Sequence, residues 1–325
     1  MRRLLVLMAA FIVVAACGAP ANDDRATATT ATALDTTTSA AASTSSTAPL
    51  REVLPPTKGP GTAPAGAGAG GPWSTGMSVA FADELGRFTR SEWVTDQAGV
   101  PNLITDRNGR LLAYHIDWAA QNGIAVAIRE PGPTTKDSTW IRYRVRIDGL
   151  PTGKPDPVDP SAVLLDDGRI RLYWMRVVNG RAAIQSAMSN DGVTFKLEPG
   201  DRFSTGTELF DPTVVRHGGR WLLVTGPDGA HHAYADDGLT FGPDLGPFLV
   251  EGTATMVWAA YAAGDTTTLL TAAPGRPPLT VHRSVAGGAF TRTFVLSVDG
   301  SSPAPDAGLV PFNGGFALAY LRPLG

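Results

Sequence analysis

A chain with one cysteine cannot close a disulfide on itself, and Cys17 is the only cysteine among 325 residues. Long apolar runs are equally scarce: residues 4–16 form the one clear example, too short to span a bilayer as a helix. Sustained helical periodicity is missing from the C-terminal 250 or so residues, which argues against helical bundles and doubly wound α/β folds. Charge is low, at 18% of residues and a formal net of −3, with no basic block beyond Arg2-Arg3. Nucleic acid is therefore not an expected partner. Five histidines offer no metal-ligand spacing. His231 and His232 are adjacent on an extended stretch, so alternation sends them to opposite faces, and His115, His217 and His282 stand apart. No nucleophile elbow and no phosphate-cradling glycine loop are present. Glycine, with 37 residues, and proline, with 26, are plentiful, as turns between many short strands require.

The N-terminus reads as an export signal: a basic start, then the short apolar run. The run ends Val14-Ala15-Ala16-Cys17-Gly18, which resembles the lipobox of bacterial lipoproteins. The resemblance implies that residues 1–17 are the signal peptide and lipobox, with Cys17 lipidated. The protein is then expected to be exported and lipid-anchored to the outer face of the cell membrane, since several acyl chains on one residue hold stably. Residues 18–75 are rich first in Thr, Ala and Ser and then in Pro and Gly. Such a segment has too little apolar surface to offset its ordering entropy and is expected to be a disordered tether. About fifty flexible residues give a reach of roughly 40 Å.

Residues 76–325 predict an all-β domain. From Asp159 to Phe195 the sequence reads as one four-stranded unit, with Asp166-Asp167-Gly168 and Asn190-Asp191-Gly192 as hairpin turns between apolar runs. The pattern returns from Asp211 to Phe241. Turn glycines mark the repeat at Gly109, Gly168, Gly219, Gly264 and Gly315, roughly every 50 residues, a period typical of propeller blades. Each is followed by a strand apolar on both faces, as blades stacked on neighbours require. The last unit lacks outer strands, and residues 78–88 match the outer hairpin at 232–241 in their small, aromatic and acidic positions. A five-bladed β-propeller closed by pairing of N-terminal and C-terminal strands is expected.

Innermost strands line the channel of a propeller, and counting back from the marker glycines gives Val100, Asp159, Asp211, Thr255 and Asp306 at equivalent starts. Proline follows the first three, as an edge strand tolerates. These Asp-Pro openings, with D-D-G-R-I-R-L-Y-W after the first, look like the five-bladed propellers of glycoside hydrolase family 43 and its relatives. The resemblance implies an aspartate base, a second aspartate that tunes the acid, and a glutamate acid, with carboxyls on either side of a glycosidic bond. Asp159 and Asp211 match the two Asp-Pro motifs, and Glu251 stands for the acid, with Glu208 as the alternative. The family's base lies on the first blade, where this chain has Val100-Pro101-Asn102. Asp306, Asn102 and the indoles of Trp118, Trp174 and Trp258 are expected to contact ligand. No cofactor is required, although axial aspartates suit a hard cation such as Ca²⁺. Residues 189–195 also approximate the Asp-box of sialidases, a structural turn rather than chemistry.

Three readings stay open at this point. The propeller binds a cell-wall glycan or other carbohydrate without cleaving it, or it hydrolyses one, or it is a non-catalytic surface scaffold for other proteins. In each the chain is expected to act as a monomer held to the membrane by its lipid.

Overall fold

The computed structural model describes residues 51–66, 70–120, 122–131, 140–151, 157–178, 180–206, 209–273 and 276–324. The export signal, Cys17 and the first part of the expected tether fall outside the described residues. Everything regular among them is strand, apart from two short 3-10 turns. The fold is a five-bladed β-propeller.

The first blade runs outward from Ala98–Thr105 through Leu111–Asp117 and Gly123–Arg129 to Trp140–Arg144. The second runs from Val158–Leu164 through Ile170–Val178 and Arg181–Ser189 to Thr194–Leu197. The fourth uses Met256–Ala263, Thr266–Ala273, Arg276–Val285 and Thr291–Val295. The fifth joins the two ends of the domain: Ala307–Phe312 and Gly315–Pro323 are followed, in space, by Thr75–Ala82 and Arg90–Asp96. In it Thr75 pairs with Pro323 and Ala82 with Phe316. Innermost strands touch in cyclic order, each meeting the next and the fifth meeting the first.

The third blade departs from the four-strand pattern. Thr213–His217, Arg220–Thr225 and His231–Ala235 form a three-stranded sheet. An irregular stretch covers its outer edge, where Gly242 N–H donates to Tyr234 O and Leu245 N–H to His232 O. A covered edge cannot recruit another strand.

Why the strands after each marker are apolar on both faces is now plain. Leu112, Tyr114 and Val126 of the first blade pack on Ile170, Leu172 and Trp174 of the second, and similar seams follow between later blades. Two parallel pairings stitch neighbours at the rim: Arg146–Asp148 beside Thr194–Leu197, and Ser297–Val298 beside Arg87–Phe88. Near the axis the fit is close enough that a Cβ on Gly308 would lie 2.8 Å from Leu103 N.

One expectation is corrected. Residues 51–62 and 71–75, assigned from composition to the tether, are docked on the propeller. Val53–Leu54 adds a short strand to the outer edge of the first blade. Beyond it the chain is fastened at nearly every step: Arg142 donates to Pro55 O, Asp96 N–H to Thr57 O, Gly59 N–H to the Asp96 carboxylate, and Trp118 Nε1–H to Thr62 O. Backbone hydrogen bonds and charged anchors do not require apolar side chains, so a Pro- and Gly-rich strap can be ordered by a surface prepared for it.

Candidate functional site

The innermost strands enter the ring with an unusual backbone. Val100, Asp159, Asp211 and Asp306 all have positive φ, at 46°, 57°, 44° and 71°. Pairing skips between Gly99 and Asn102 and between Val158 and Ser161. These are bulges, which re-aim side chains. Aspartate tolerates the left-handed region better than most residues, whereas a β-branched valine there is strained. Val100 thus keeps the bulge of its siblings without their carboxylate. In the fourth blade the skip falls between Val257 and Ala259, and Trp258 stands there, lining the mouth while packing against the seam between the fourth and fifth blades.

The result is a narrow mouth. Val100, Asn102, Asp211, Trp258 and Asp306 line a hollow of about 10 Å³, room for about one water molecule. Asp159 lies behind it, buried, with Oδ2 accepting the Asp211 N–H at 3.3 Å. Hydrogen bonds step from blade to blade around this axis: Ala162 N–H to Asn102 Oδ1, Val214 N–H to Ser161 Oγ, Thr213 Oγ–H to Val257 O, and Thr105 Oγ–H to Pro311 O. An innermost strand has no ladder partner on its axial side, so these side chains satisfy its backbone instead.

Three carboxyls brought together in a confined space cannot all ionise cheaply. Burial pushes the Asp159 carboxyl up. Asp211 is pushed well up, first by burial and then by the charges of Asp159 and Asp306. Asp306 rises through burial and the charge of Asp159. The mouth therefore holds carboxyls that retain protons far above the usual range, able to donate as well as accept hydrogen bonds.

The other expected site residues are dispersed. Glu251 sits at the tip of a hairpin between Leu249–Val250 and Thr253–Ala254, exposed, with Oε1 accepting the Arg292 N–H at 3.0 Å. Arg292 belongs to the outermost strand of the fourth blade, so Glu251 is a rim residue and not an acid beside the aspartates. Glu208 lies outside the described residues. Trp174 is wholly buried between the first and second blades; it is a core residue, because its position on the strand points into the seam. Trp118 is half-buried at the end of the second strand of the first blade, one residue past the partner of Ala98, and so on the same end of the propeller as the mouth. Among the described residues no three His, Cys, Asp or Glu side chains are grouped so as to hold a metal ion. The axial aspartates, which the sequence offered to a Ca²⁺, do not form such a group.

A buried polar cluster in the first blade was not legible beforehand. His115, Asp117 and Arg142 are all fully buried. Arg142 donates to the Asp117 carboxylate and to Pro55 O of the strap. Burial, reinforced by the Arg142 charge, pushes the His115 imidazole down to about 3, so it is neutral. The only signal was the spacing of Arg142 and Arg144 by two along the strand Trp140–Arg144. A hollow of about 530 Å³, open to solvent, lies at the rim between the fourth and fifth blades, near Asp83, Arg87 and Phe294. It holds none of the converging carboxyls, and the chemistry points to the mouth.

No family model matches this chain, and no curated protein matches it. Solved structures do. The chain is similar to RS223 β-xylosidase at 12% identity, over 69% of this chain and 92% of that one, with a TM-score of 0.50. It is similar to a thermostable family-43 glycoside hydrolase at 12% identity, over 70% and 89%, TM-score 0.49. An endo-arabinase from Bacteroides thetaiotaomicron VPI-5482 matches at 15% identity, over 70% and 94%, TM-score 0.49. At such identities the likeness concerns fold. The class defined here is a five-bladed β-propeller with an axial carboxylate mouth.

Proposed function

We propose that this chain is an exported, lipid-anchored surface protein whose propeller recognises a cell-wall glycan at the axial mouth. The observation that carries the reading is the convergence of Asp159, Asp211 and Asp306 beside the Trp258 indole. Protonated and ionised carboxyls together suit sugar hydroxyls, each of which both donates and accepts, and an indole face suits the apolar side of a sugar ring. Recognition is favoured over hydrolysis for two reasons. The hollow admits only a group the size of a water, and Glu251 lies at the rim, whereas cleavage needs two carboxyls on either side of a bond with space between them.

The test is isothermal titration of the full chain, purified in detergent, with arabinose-, xylose- and galactose-containing glycans, alongside product analysis of the same mixtures. Binding that is lost in Asp211→Asn, without released sugar, is the expected result. Release of sugar that Asp159→Ala abolishes would replace recognition by hydrolysis, and no binding to any glycan would end the reading. For the anchor, mass spectrometry of the membrane fraction should find acyl groups on Cys17, and Cys17→Ala should move the protein to the soluble fraction.

A further inference from the structure

On the side of the first blade the rim of the mouth is built partly by the strap. Thr75 Oγ–H donates to Ala98 O at 2.6 Å. A Cβ on Gly99 would meet Pro72 Cβ at 3.3 Å, so the turn Pro72–Ser74 rests one residue from Val100, which lines the hollow. Trp73 in that turn meets Trp118 of the blade edge to face, with ring centroids 5.2 Å apart and planes at 66°. Both indoles are half-buried, leaving surface open beside the mouth.

The pair is held firmly. Trp118 N–H donates to Gln97 O, and its Nε1–H to Thr62 O at 3.1 Å. Gly61 N–H donates to Trp73 O at 2.7 Å, and Gln97 Nε2–H to Gly59 O. Rings fixed before a ligand arrives lose little entropy when it binds. A single sugar cannot enter a hollow of about 10 Å³, but a chain lying across the rim can offer one hydroxyl to the carboxyls while its neighbouring ring stacks on indole.

We propose that Trp73 and Trp118 form the platform for a second sugar unit, which makes the N-terminal strap part of the binding site and selects glycan chains over single sugars. The proposal rests on the glycan reading above. Its test is calorimetric titration of the full chain in detergent with xylose, arabinose and galactose and with oligosaccharides of each, accompanied by tryptophan emission. The wild-type protein should bind an oligosaccharide more tightly than the single sugar, with a shift in emission at saturation. Trp73→Ala and Trp118→Ala should each weaken oligosaccharide binding by about tenfold, the size of one aromatic contact. Trp73→Phe should restore most of the loss. Wild-type affinity in Trp73→Ala, with Asp211→Asn still defective, overturns the platform and leaves the glycan reading standing. A wild-type complex without any emission shift overturns it too, whether or not the variants fold. Failure of the wild type to bind any of these sugars overturns both.

Discussion

The Tyr173 hydroxyl of the second blade donates to Gly238 O in the outer hairpin of the third, at 2.8 Å, and its ring meets Phe241 edge to face. The same staple joins the first blade to the second: Tyr114 donates to Gly192 O at 2.9 Å and its ring meets Phe195 edge to face. Each hairpin is itself fixed by an aspartate. Asp191 Oδ1 accepts the N–H groups of Val193 and Thr194, and Asp237 Oδ1 those of Leu239 and Thr240. Glycine is required at Gly192, where φ is +80° and a Cβ would lie 2.4 Å from Leu112. The Asp-box echo in the sequence is thus a device for locking blade to blade.

Removing one staple should be felt in stability alone. Tyr173→Phe leaves the Gly238 carbonyl without its donor, at a cost of about 1–2 kcal/mol. Urea denaturation should show that loss, while glycan binding at the mouth stays at the wild-type level. A neutral result would mean that water replaces the hydroxyl.

The carboxyl cluster predicts a pH dependence opposite to that of a salt-bridged carboxylate. Asp159 and Asp306 are raised by burial from 3.8 to about 6 and about 7, and Asp211 is raised as well. The folded state thus holds protons that the unfolded chain releases near the ordinary value. Their contribution to stability is full below about pH 3.8 and is lost as pH rises through about 6 to 7. Asp211→Asn removes one ionisation, and its backbone N–H can still donate to Asp159. The variant should be more stable than wild type by about 1–3 kcal/mol near pH 8 and level with it near pH 4. Equal denaturation midpoints at both pH values would show that the carboxyls do not interact as the geometry requires.

Two tryptophans that look alike in sequence should behave differently. Trp174→Ala empties the seam between the first two blades and should cost about 3–5 kcal/mol. Trp258→Ala should cost less, because its ring is only partly buried where it packs on the seam between the fourth and fifth blades, but should weaken glycan binding. Thermal melts paired with titrations separate the two effects.

Arg142→Ala should loosen the strap. It leaves Asp117 charged and buried with its ion-pair partner gone, a loss of about 3–5 kcal/mol, and it frees Pro55 from its anchor. Limited proteolysis should then cut within residues 51–62 faster than in the wild-type protein. Replacing Asp117 as well, in Arg142→Met with Asp117→Leu, should recover stability without restoring the anchor.

Much of the architecture follows from chain-local physics. Asp-Gly turns, strands apolar on both faces and a repeat of roughly 50 residues each constrain neighbours in sequence, so the blades could be counted from the residues. The axial positions were equally local, since Asp159-Pro160 and Asp211-Pro212 mark strand entries by themselves. The third blade falls one strand short of the pattern: Asp237-Gly238 makes the expected turn, but the stretch after it covers the edge without forming a regular strand.

What only the tertiary structure decided depends on direction and on distant partners. Trp174 and Trp258 both lie on β-strands, yet regular alternation buries one wholly in a seam, whereas a bulge leaves the other partly exposed where it lines the mouth. Glu251 is close to the inner strand of the fourth blade in sequence, but its hairpin carries it to the rim. The strap reads as tether because composition reports apolar content, whereas its order comes from Arg142, Asp96 and Trp118, side chains distant in the chain that meet it only once the ring has formed. The sequence by itself determined how many blades there are and which residues enter the ring. Folding decided which of them meet, because a carboxyl's pKa and an indole's exposure are properties of neighbours the chain brings together from afar.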